Sequence, residues 1–179
     1  AKRITETPQF NDEDAKKIIR NATSILNREK GENPYLLHDD LQKNMQNNVG
    51  IIRTDSELQV GIQNIENLKE KNKNVKANGS SQFNPGWHEA LAMRNLLITA
   101  EAVARAAHMR EESRGAHTRD DFPTENEEWY NYNIISKKGE DGNMQVTKER
   151  RKEPNPELER IANAKLEDLE SEVAEERKS

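Results

Sequence analysis

Residues 88–113, H-E-A-L-A-M-R-N-L-L-I-T-A-E-A-V-A-R-A-A-H-M-R-E-E-S, decide the fold. The stretch is dense in Ala, Leu, Met, Glu and Arg, which lose little freedom in a helix, and it contains neither Gly nor Pro. It therefore predicts one long helix. Leu91, Leu96, Ala100, Val103 and Ala107 lie along one side, and Leu97, Ile98 and Ala104 widen the stripe. A face that broad requires burial by more than one neighbour, and its alanines let neighbouring helices approach closely. Gly115 follows as the expected left-handed residue that ends the helix.

The neighbours lie upstream. Asn33-Pro34 reads as an N-cap followed by proline at the first helical position, where a missing N–H costs nothing. The helix it opens carries Leu37, Leu41, Met45, Val49 and Ile52 on one face. Thr54-Asp55-Ser56-Glu57 is a capping box and opens a second helix with Leu58, Ile62, Ile65 and Leu68 as its stripe. That helix is expected to end in residues 69–76, read as too polar to pack, and residues 77–86, rich in Asn, Gly and Ser, as a loop. Further upstream, Asn11 or Asp12 caps a helix over residues 12–27, with Ile18, Ile19, Ala22, Ile25 and Leu26 on one side. Residues 1–9 read as a loop and 28–33 as a charged linker containing Gly31.

Past Pro123 the pattern changes. Residues 129–135 and 144–148 flank Gly139-Glu140-Asp141-Gly142, a hairpin turn. Such a hairpin is marginal alone and must lie against something. Residues 157–177 read as a charged helix with Ala162, Leu166, Leu169 and Val173 at heptad-like spacing. It is expected to be solvated or disordered, a partner-binding helix being the sharper reading. The basic run at residues 148–152 reads as a solvated loop, because glutamates surround it. The expected class is all-α: an antiparallel three-helix bundle of the spectrin-repeat kind, with an added N-terminal helix, a small hairpin and a charged C-terminal helix. The expected division is a connector and leading helix at 1–32, the bundle at 33–123, the hairpin at 124–153 and the tail at 154–179.

Composition narrows the chemistry. The chain has 179 residues, of which 32% are hydrophobic and 34% charged, and its mean hydropathy is -1.13. So polar a segment either carries long solvated stretches or comes from a larger protein that covers its apolar faces. It opens on Ala1, which fits a fragment or processed chain. Without cysteine it offers no thiolate metal site, iron–sulfur cluster or thiol nucleophile. The net charge of -5 gives no global attraction to nucleic acid. No run approaches the roughly 18 apolar residues of a membrane span. His38, His88, His108 and His117 are too widely spaced for a zinc motif, and Ser113 lacks a nucleophile-elbow context. Trp87 and Trp129 read as packing anchors.

The run after the long helix, residues 110–123, is R-E-E-S-R-G-A-H-T-R-D-D-F-P. On physical grounds Arg110, Arg114 and His117 sit at a helix C-terminus, where cations oppose the macrodipole. Gly115 turns the chain, and Arg119 with Asp120 and Asp121 forms an ion-pair network that pins the turn. The residue types also suit acid–base chemistry, but a sequence shows no pocket.

This run closely resembles the K-E-S-R-G-A-H-x-R-x-D-[FY] run of succinate dehydrogenase and fumarate reductase flavoprotein subunits. Residues 42–61, containing Met45, Gln46 and Arg53, look like the family's M-Q-x-x-x-G/A-x-x-R helix pair. Arg94-Asn95-Leu96-Leu97 resembles its R-N-L-L, and residues 129–148 resemble its late hairpin. The likeness covers residues 33–148. L-aspartate oxidase shares this domain but typically has leucine in place of Ala116 and lacks the R-x-D that Arg119 and Asp121 supply. Adenylylsulfate reductase is a more distant likeness.

The resemblance implies a C-terminal helical domain of a flavoprotein that interconverts succinate and fumarate. Electrons would pass to an iron–sulfur subunit, then on to quinone at a membrane anchor. FAD would be held by an N-terminal domain through a Gly-rich loop that this chain lacks, so none is expected here. No catalytic residue is carried over, no metal and no nucleic acid are expected, and the chain alone is expected to be inactive. The expected partners are the flavin-binding domain, the iron–sulfur subunit, indirectly the anchor and, for an isolated fragment, a second copy of itself. The complex is expected on the cytoplasmic face of the membrane. Arg110, Glu112, Ser113, Arg114, Gly115, His117, Arg119 and Asp121 are expected to build a structural or interface corner. The alternatives are the corresponding domain of L-aspartate oxidase and an autonomous helical interaction module.

Overall fold

Local sequence opens each helix of the computed structural model, which describes residues 11–167 and residue 170. Helix α1, Asp12–Ser24, is capped by the Asn11 side chain, which accepts the amides of Glu13 and Asp14. Helix α2, Pro34–Asn48, is capped by Asn33. Thr54 and Glu57 complete the capping box of α3, Asp55–Asn72. Helix α4, Pro85–Met109, starts three residues before the expected His88, because Asn84 caps it and Pro85 takes its first position. The expected loop at residues 1–9 lies outside the described residues.

Helices α2, α3 and α4 form the bundle. Lys69 and Glu66 of α3 meet Glu101 and Arg105 of α4 across their interface, so these helices run antiparallel. Asn44 of α2 reaches across to Gly61 and Asn64 of α3. The core combines Leu37 and Leu41 with Leu58, Ile65 and Leu68, and closes on Ala90, Met93, Leu97, Ala100, Ala104 and Ala107. Burying such side chains is worth about 25 cal/mol per Å² of apolar surface.

The stripe of α4 is therefore rotated from the expected one. Leu96, Ile98 and Val103 are exposed, whereas Met93 and Glu101 are buried. Glu101 sits in the core stripe because Lys69 bonds one oxygen at 2.6 Å and Arg105 the other at 2.9 Å. Burial pushes its carboxyl up, but these two cations outweigh it and hold it below its ordinary value.

Other expectations are corrected by the same packing. Ile18 and Ile19 of α1 are exposed, and Ile25, just past the helix, reaches the core instead. Ile52 lies not on α2 but in a short strand, β1, Ile52–Arg53, with its side chain exposed. The polar run at 69–76 does pack: Lys69 serves Glu101, and Val75 is buried. Ala77, in the expected loop, is buried as well. The charged linker docks onto this segment, with Glu32 bonded to Asn74 and Lys76. Gly31 makes that approach possible, since a Cβ there would come within 2.3 Å of the Asn74 carbonyl oxygen.

Helix α4 ends at Met109, four residues short of Ser113. The chain then forms strand β2, Thr118–Arg119, which pairs in parallel with β1. A 3-10 turn, Glu127–Asn131, occupies the expected start of the hairpin, whose strands are β3, Tyr132–Lys138, and β4, Met144–Arg150. The hairpin lies against α4. Lys148 and Arg150 belong to β4 rather than to a solvated loop, and Lys148 packs over the rings of Trp129 and Tyr132. Helix α5, Pro156–Asn163, buries nothing. It stops because Ala164 is extended, so the expected continuous helix is interrupted before Leu166; Leu169 and Val173 of that expected helix lie outside the described residues.

Truncation at two adjacent positions separates the two stripes. Leu97→Ala is expected to lower the denaturation free energy by about 3 kcal/mol, through lost burial and a residual cavity. Leu96→Ala is expected to change it by less than about 1 kcal/mol. Urea unfolding followed by circular dichroism measures both, and equal losses would contradict the rotated stripe.

Candidate functional site

Residues 110–126 fold into a corner between the C-terminal end of α4, the N-terminal end of α3 and the hairpin. It starts from a physical requirement: the last carbonyls of α4 need donors. Arg119, fully buried, supplies them. Its Nη1 lies 3.1 Å from the Ala107 oxygen and 3.0 Å from that of His108. Its Nε and Nη2 grip both oxygens of Asp121, at 2.8 and 2.7 Å. Asp121 in turn accepts the backbone amide of Asp55 at 2.8 Å, at the first position of α3. The cation thus faces the negative end of one helix and the carboxylate the positive end of another. The expected network therefore uses Asp121. Asp120 is exposed, and its amide donates to the Arg53 carbonyl.

Ser113 staples the turn from inside. Its hydroxyl accepts the Arg119 amide at 2.9 Å and lies 2.8 Å from the Phe122 carbonyl, to which it donates. With its hydroxyl held between these two backbone groups, it is not paired to a base that would activate it as a nucleophile.

Glu112 is the second buried charge. Arg110 and Arg114 both donate to its carboxylate, Arg114 at 2.7 Å through Nη2, and so does the Asn126 amide at 3.0 Å. The Arg114 guanidinium, then the Asn126 amide and Arg110, overcome burial and hold the Glu112 carboxyl at about 2. Arg114 also stacks on Tyr130, 3.6 Å from the ring centroid, and meets Glu125 at 3.2 Å. Arg110 lies over Trp129. Glu112 therefore fastens the hairpin's entry to the end of α4.

Gly115 does not end the helix. It follows Arg114 directly, well beyond the last helical residue, in a tight turn closed by reciprocal Arg114–His117 backbone bonds of 2.8 and 3.0 Å. Its φ of +57° explains the glycine. His117 follows with both ring nitrogens committed. Arg53 donates to Nδ1 at 2.9 Å, so Nε2 carries the proton and donates to the Arg110 carbonyl at 3.1 Å. Burial first, and then the cations Arg53, Arg110 and Arg119, push the His117 pKa down despite the Arg110 carbonyl. The imidazole is neutral and engaged, which leaves it no free lone pair for base catalysis.

All eight sequence-selected residues thus fall in one corner: Arg110 is the C-terminal cap residue of α4, but its guanidinium and that of Arg114 turn to Glu112, and the side chain that meets the last helical carbonyls is Arg119. Sequence reasoning missed Arg53, Asp55, His108, Glu125, Trp129 and Tyr130 as members. Arg53 stood in the quoted M-Q-x-x-x-G/A-x-x-R pattern, so its signal was present. His108 lies 3.0 Å from Asp55 and gave none, because the pair joins distant segments. An open cleft of about 1040 Å³ adjoins the corner, lined by Val49, Gly50, Arg53, Gly115, Ala116 and Thr118 among others. Among the described residues no three His, Asp or Glu side chains converge as a metal site.

The corner makes stability depend on acid. Asp121 is held at about 2, by the Arg119 hydrogen bonds first, against an ordinary 3.8; Glu112 is at about 2 against 4.5. Depressed carboxyl pKa values stabilise the folded state above the ordinary values, and that stability is lost as pH falls towards 2. His117, depressed below 6.5, adds loss in the same direction that begins earlier, as pH falls through 6.5 and the unfolded imidazole takes up its proton first. Urea midpoints are expected to fall between pH 4.5 and 2, and a Glu112→Gln, Asp121→Asn double variant is expected to start lower and fall less. Parallel curves for the two proteins would refute the assignment.

Comparison with known proteins gives the family. A model described as fumarate reductase flavoprotein C-term matches residues 38–173. An FAD-dependent oxidoreductase of Methanocaldococcus jannaschii is 36% identical over 76% of this chain and 25% of its own length. A fumarate reductase (CoM/CoB) polypeptide of Methanothermobacter marburgensis is 36% identical, over 60% of this chain and 20% of its own. The succinate dehydrogenase flavoprotein subunit of Coxiella burnetii is 32% identical, over 60% and 19%. The chain thus spans a quarter or less of these relatives. Among solved structures, the Mycobacterium smegmatis Sdh1 complex in the apo form superposes with a TM-score of 0.81 at 35% identity, covering 94% of this chain and 29% of that one. Adenylylsulfate reductase of Archaeoglobus fulgidus, at 20% identity and a TM-score of 0.66, shares the fold alone. With the family's pattern spread over most of the chain and its charged run folded into one closed corner, the chain belongs to the fumarate reductase flavoprotein C-terminal family.

Proposed function

We propose that this chain serves as the C-terminal domain of a succinate dehydrogenase or fumarate reductase flavoprotein, with a structural and subunit-contacting role rather than a catalytic one. The complete protein interconverts succinate and fumarate and passes electrons to an iron–sulfur subunit, then to quinone. The observation that carries this reading is the commitment of the corner. Glu112, Ser113, His117, Arg119 and Asp121 each spend their hydrogen-bonding capacity on neighbours within the chain. A group so engaged makes a poor acid, base or nucleophile.

FAD supplies the hydride chemistry when bound in the complete protein, and we assign its binding to another domain. The helix N-termini support this. A phosphate needs free N–H groups at a helix start, but the Asn or Thr before each of α1 to α5 already caps it. Among the described residues these helix starts do not fit a pyrophosphate, and no step is routed through them. Among the described residues no helix is long and apolar enough to cross a membrane. We place the domain on the cytoplasmic side, held to the membrane through the iron–sulfur subunit, which sits on the anchor.

We divide the corner's labour by burial. Arg119 and Glu112 are enclosed and act as scaffold. Gly115 and Ala116 line the open cleft and, with the exposed Glu111 and Asp120, form the surface offered to the flavin domain or the iron–sulfur subunit.

Two measurements test the proposal. The chain alone is expected to carry no flavin through gel filtration after mixing with FAD and to show no succinate oxidation; a flavin spectrum that co-elutes with it overturns the assignment. In the complete protein, Ala116→Trp is expected to reduce co-purification of the iron–sulfur subunit with an unchanged thermal midpoint. Full assembly in both Ala116→Trp and Arg114→Glu removes the interface role.

A further inference from the structure

Asn78-Gly79 is the only Asn–Gly pair in the sequence. It lies in the loop between α3 and α4, with both residues exposed. Asn–Gly pairs are chemically labile because the glycine amide, unhindered by a side chain, can reach the asparagine side-chain carbonyl. Hydrogen bonding and regular structure normally suppress this by holding the amide elsewhere. Here neither restraint applies: among the described residues, the Gly79 amide and the Asn78 side chain enter no hydrogen bond. Gly79 also has a φ of +93°, a conformation suited to glycine.

A chemically related pair in the chain serves as an internal contrast. Asp141-Gly142 sits in the hairpin turn with its glycine amide bonded to the Gly139 carbonyl at 3.0 Å. The Asp141 carboxylate is occupied by Asn143, through its amide at 3.0 Å and its side chain at 2.8 Å. Those bonds keep Asp141 ionised, and a carboxylate is a poor electrophile.

We propose that Asn78 is a site of spontaneous deamidation that weakens the start of α4. The Gly79 nitrogen attacks Cγ of Asn78 and forms a C–N bond. The side-chain amide leaves as ammonia, which carries away the proton lost by Gly79, and a succinimide remains. Water then opens either ring carbonyl. One opening gives aspartate; the other gives isoaspartate, in which the main chain runs through the side chain and is longer by a methylene. Either product carries a new carboxylate, and water is the one co-reactant.

The consequence follows from what Asn78 holds. Its backbone carbonyl accepts from Nδ2 of Asn84 at 2.8 Å, and the Ser80 carbonyl accepts from the same nitrogen at 2.7 Å. Asn84 is buried, and its Oδ1 caps α4 through the Trp87 amide at 2.9 Å. Lengthening the main chain at Asn78 displaces one of the two carbonyls that orient this cap.

The test ages the full-length protein, folded and in urea, at neutral and mildly alkaline pH. Peptide mapping by mass spectrometry, with isoaspartyl methylation as a second label, reads the site. In the folded protein the peptide containing residue 78 is expected to convert at a rate comparable to the unfolded one and faster at higher pH, and Asn78→Gln is expected to suppress the change. Conversion only in urea, or earlier loss at another asparagine, overturns the site. The aged, more acidic fraction, separated by anion exchange, is expected to exchange the Trp87 and His88 amides faster than the unaged one. Identical exchange in the two fractions overturns the link to the helix start.

Discussion

The buried Arg119 guanidinium is the constraint on which the corner depends. A cation taken fully out of water is costly unless its donors are met. Arg119 meets them with the last carbonyls of α4 on one edge and the Asp121 carboxylate on the other. Because Asp121 also receives the first amide of α3, one ion pair joins opposite ends of two helices, its cation at the negative end and its carboxylate at the positive end. Neither the ion pair nor the cap stands alone: removing the arginine leaves both the carbonyls of α4 and the Asp121 carboxylate short of partners.

The remaining corner builds on that joint. Ser113 fixes the backbone of Arg119 relative to the segment leaving α4, and the parallel pairing of β1 and β2 fixes it relative to α3. Glu112 faces the other way and collects Arg110, Arg114 and the Asn126 amide. The hairpin is held in the same manner by cations over aromatic rings, with Lys148 between Trp129 and Tyr132. Two buried charges of opposite sign thus divide the work, one joining helix to helix and the other helix to hairpin.

The bundle was legible because its information is local. Asn33-Pro34 and the Thr54–Glu57 box announce helix starts within four residues, and the leucines of α2 and α3 repeat at helical spacing. The start of α4 was equally local in Asn84-Pro85 but was hidden in a loop-like composition. The rotated stripe of α4 was not legible: Leu96 and Val103 are as apolar as Leu97, and Glu101 looks like a surface residue until Lys69 and Arg105 are placed beside it. The corner shows the same divide. Its eight residues sit in one short run, so their grouping was visible. Which cation caps α4 depended on a chain reversal at Gly115 and on Asp55 and Arg53 arriving from far upstream, which periodicity does not encode.

The short pairing of Ile52–Arg53 with Thr118–Arg119 bears on the order of folding. Its partners are separated by all of α3 and α4, so closing that loop carries an entropic cost that grows with the logarithm of its length. The α2–α3 and α3–α4 contacts close shorter loops and can form first. On that ground the corner is expected to close last, onto helices already docked. Contacts made after the rate-limiting step govern how slowly a protein opens rather than how quickly it folds. Arg119 and Asp121 are then expected to slow the opening of the domain more than they speed its folding.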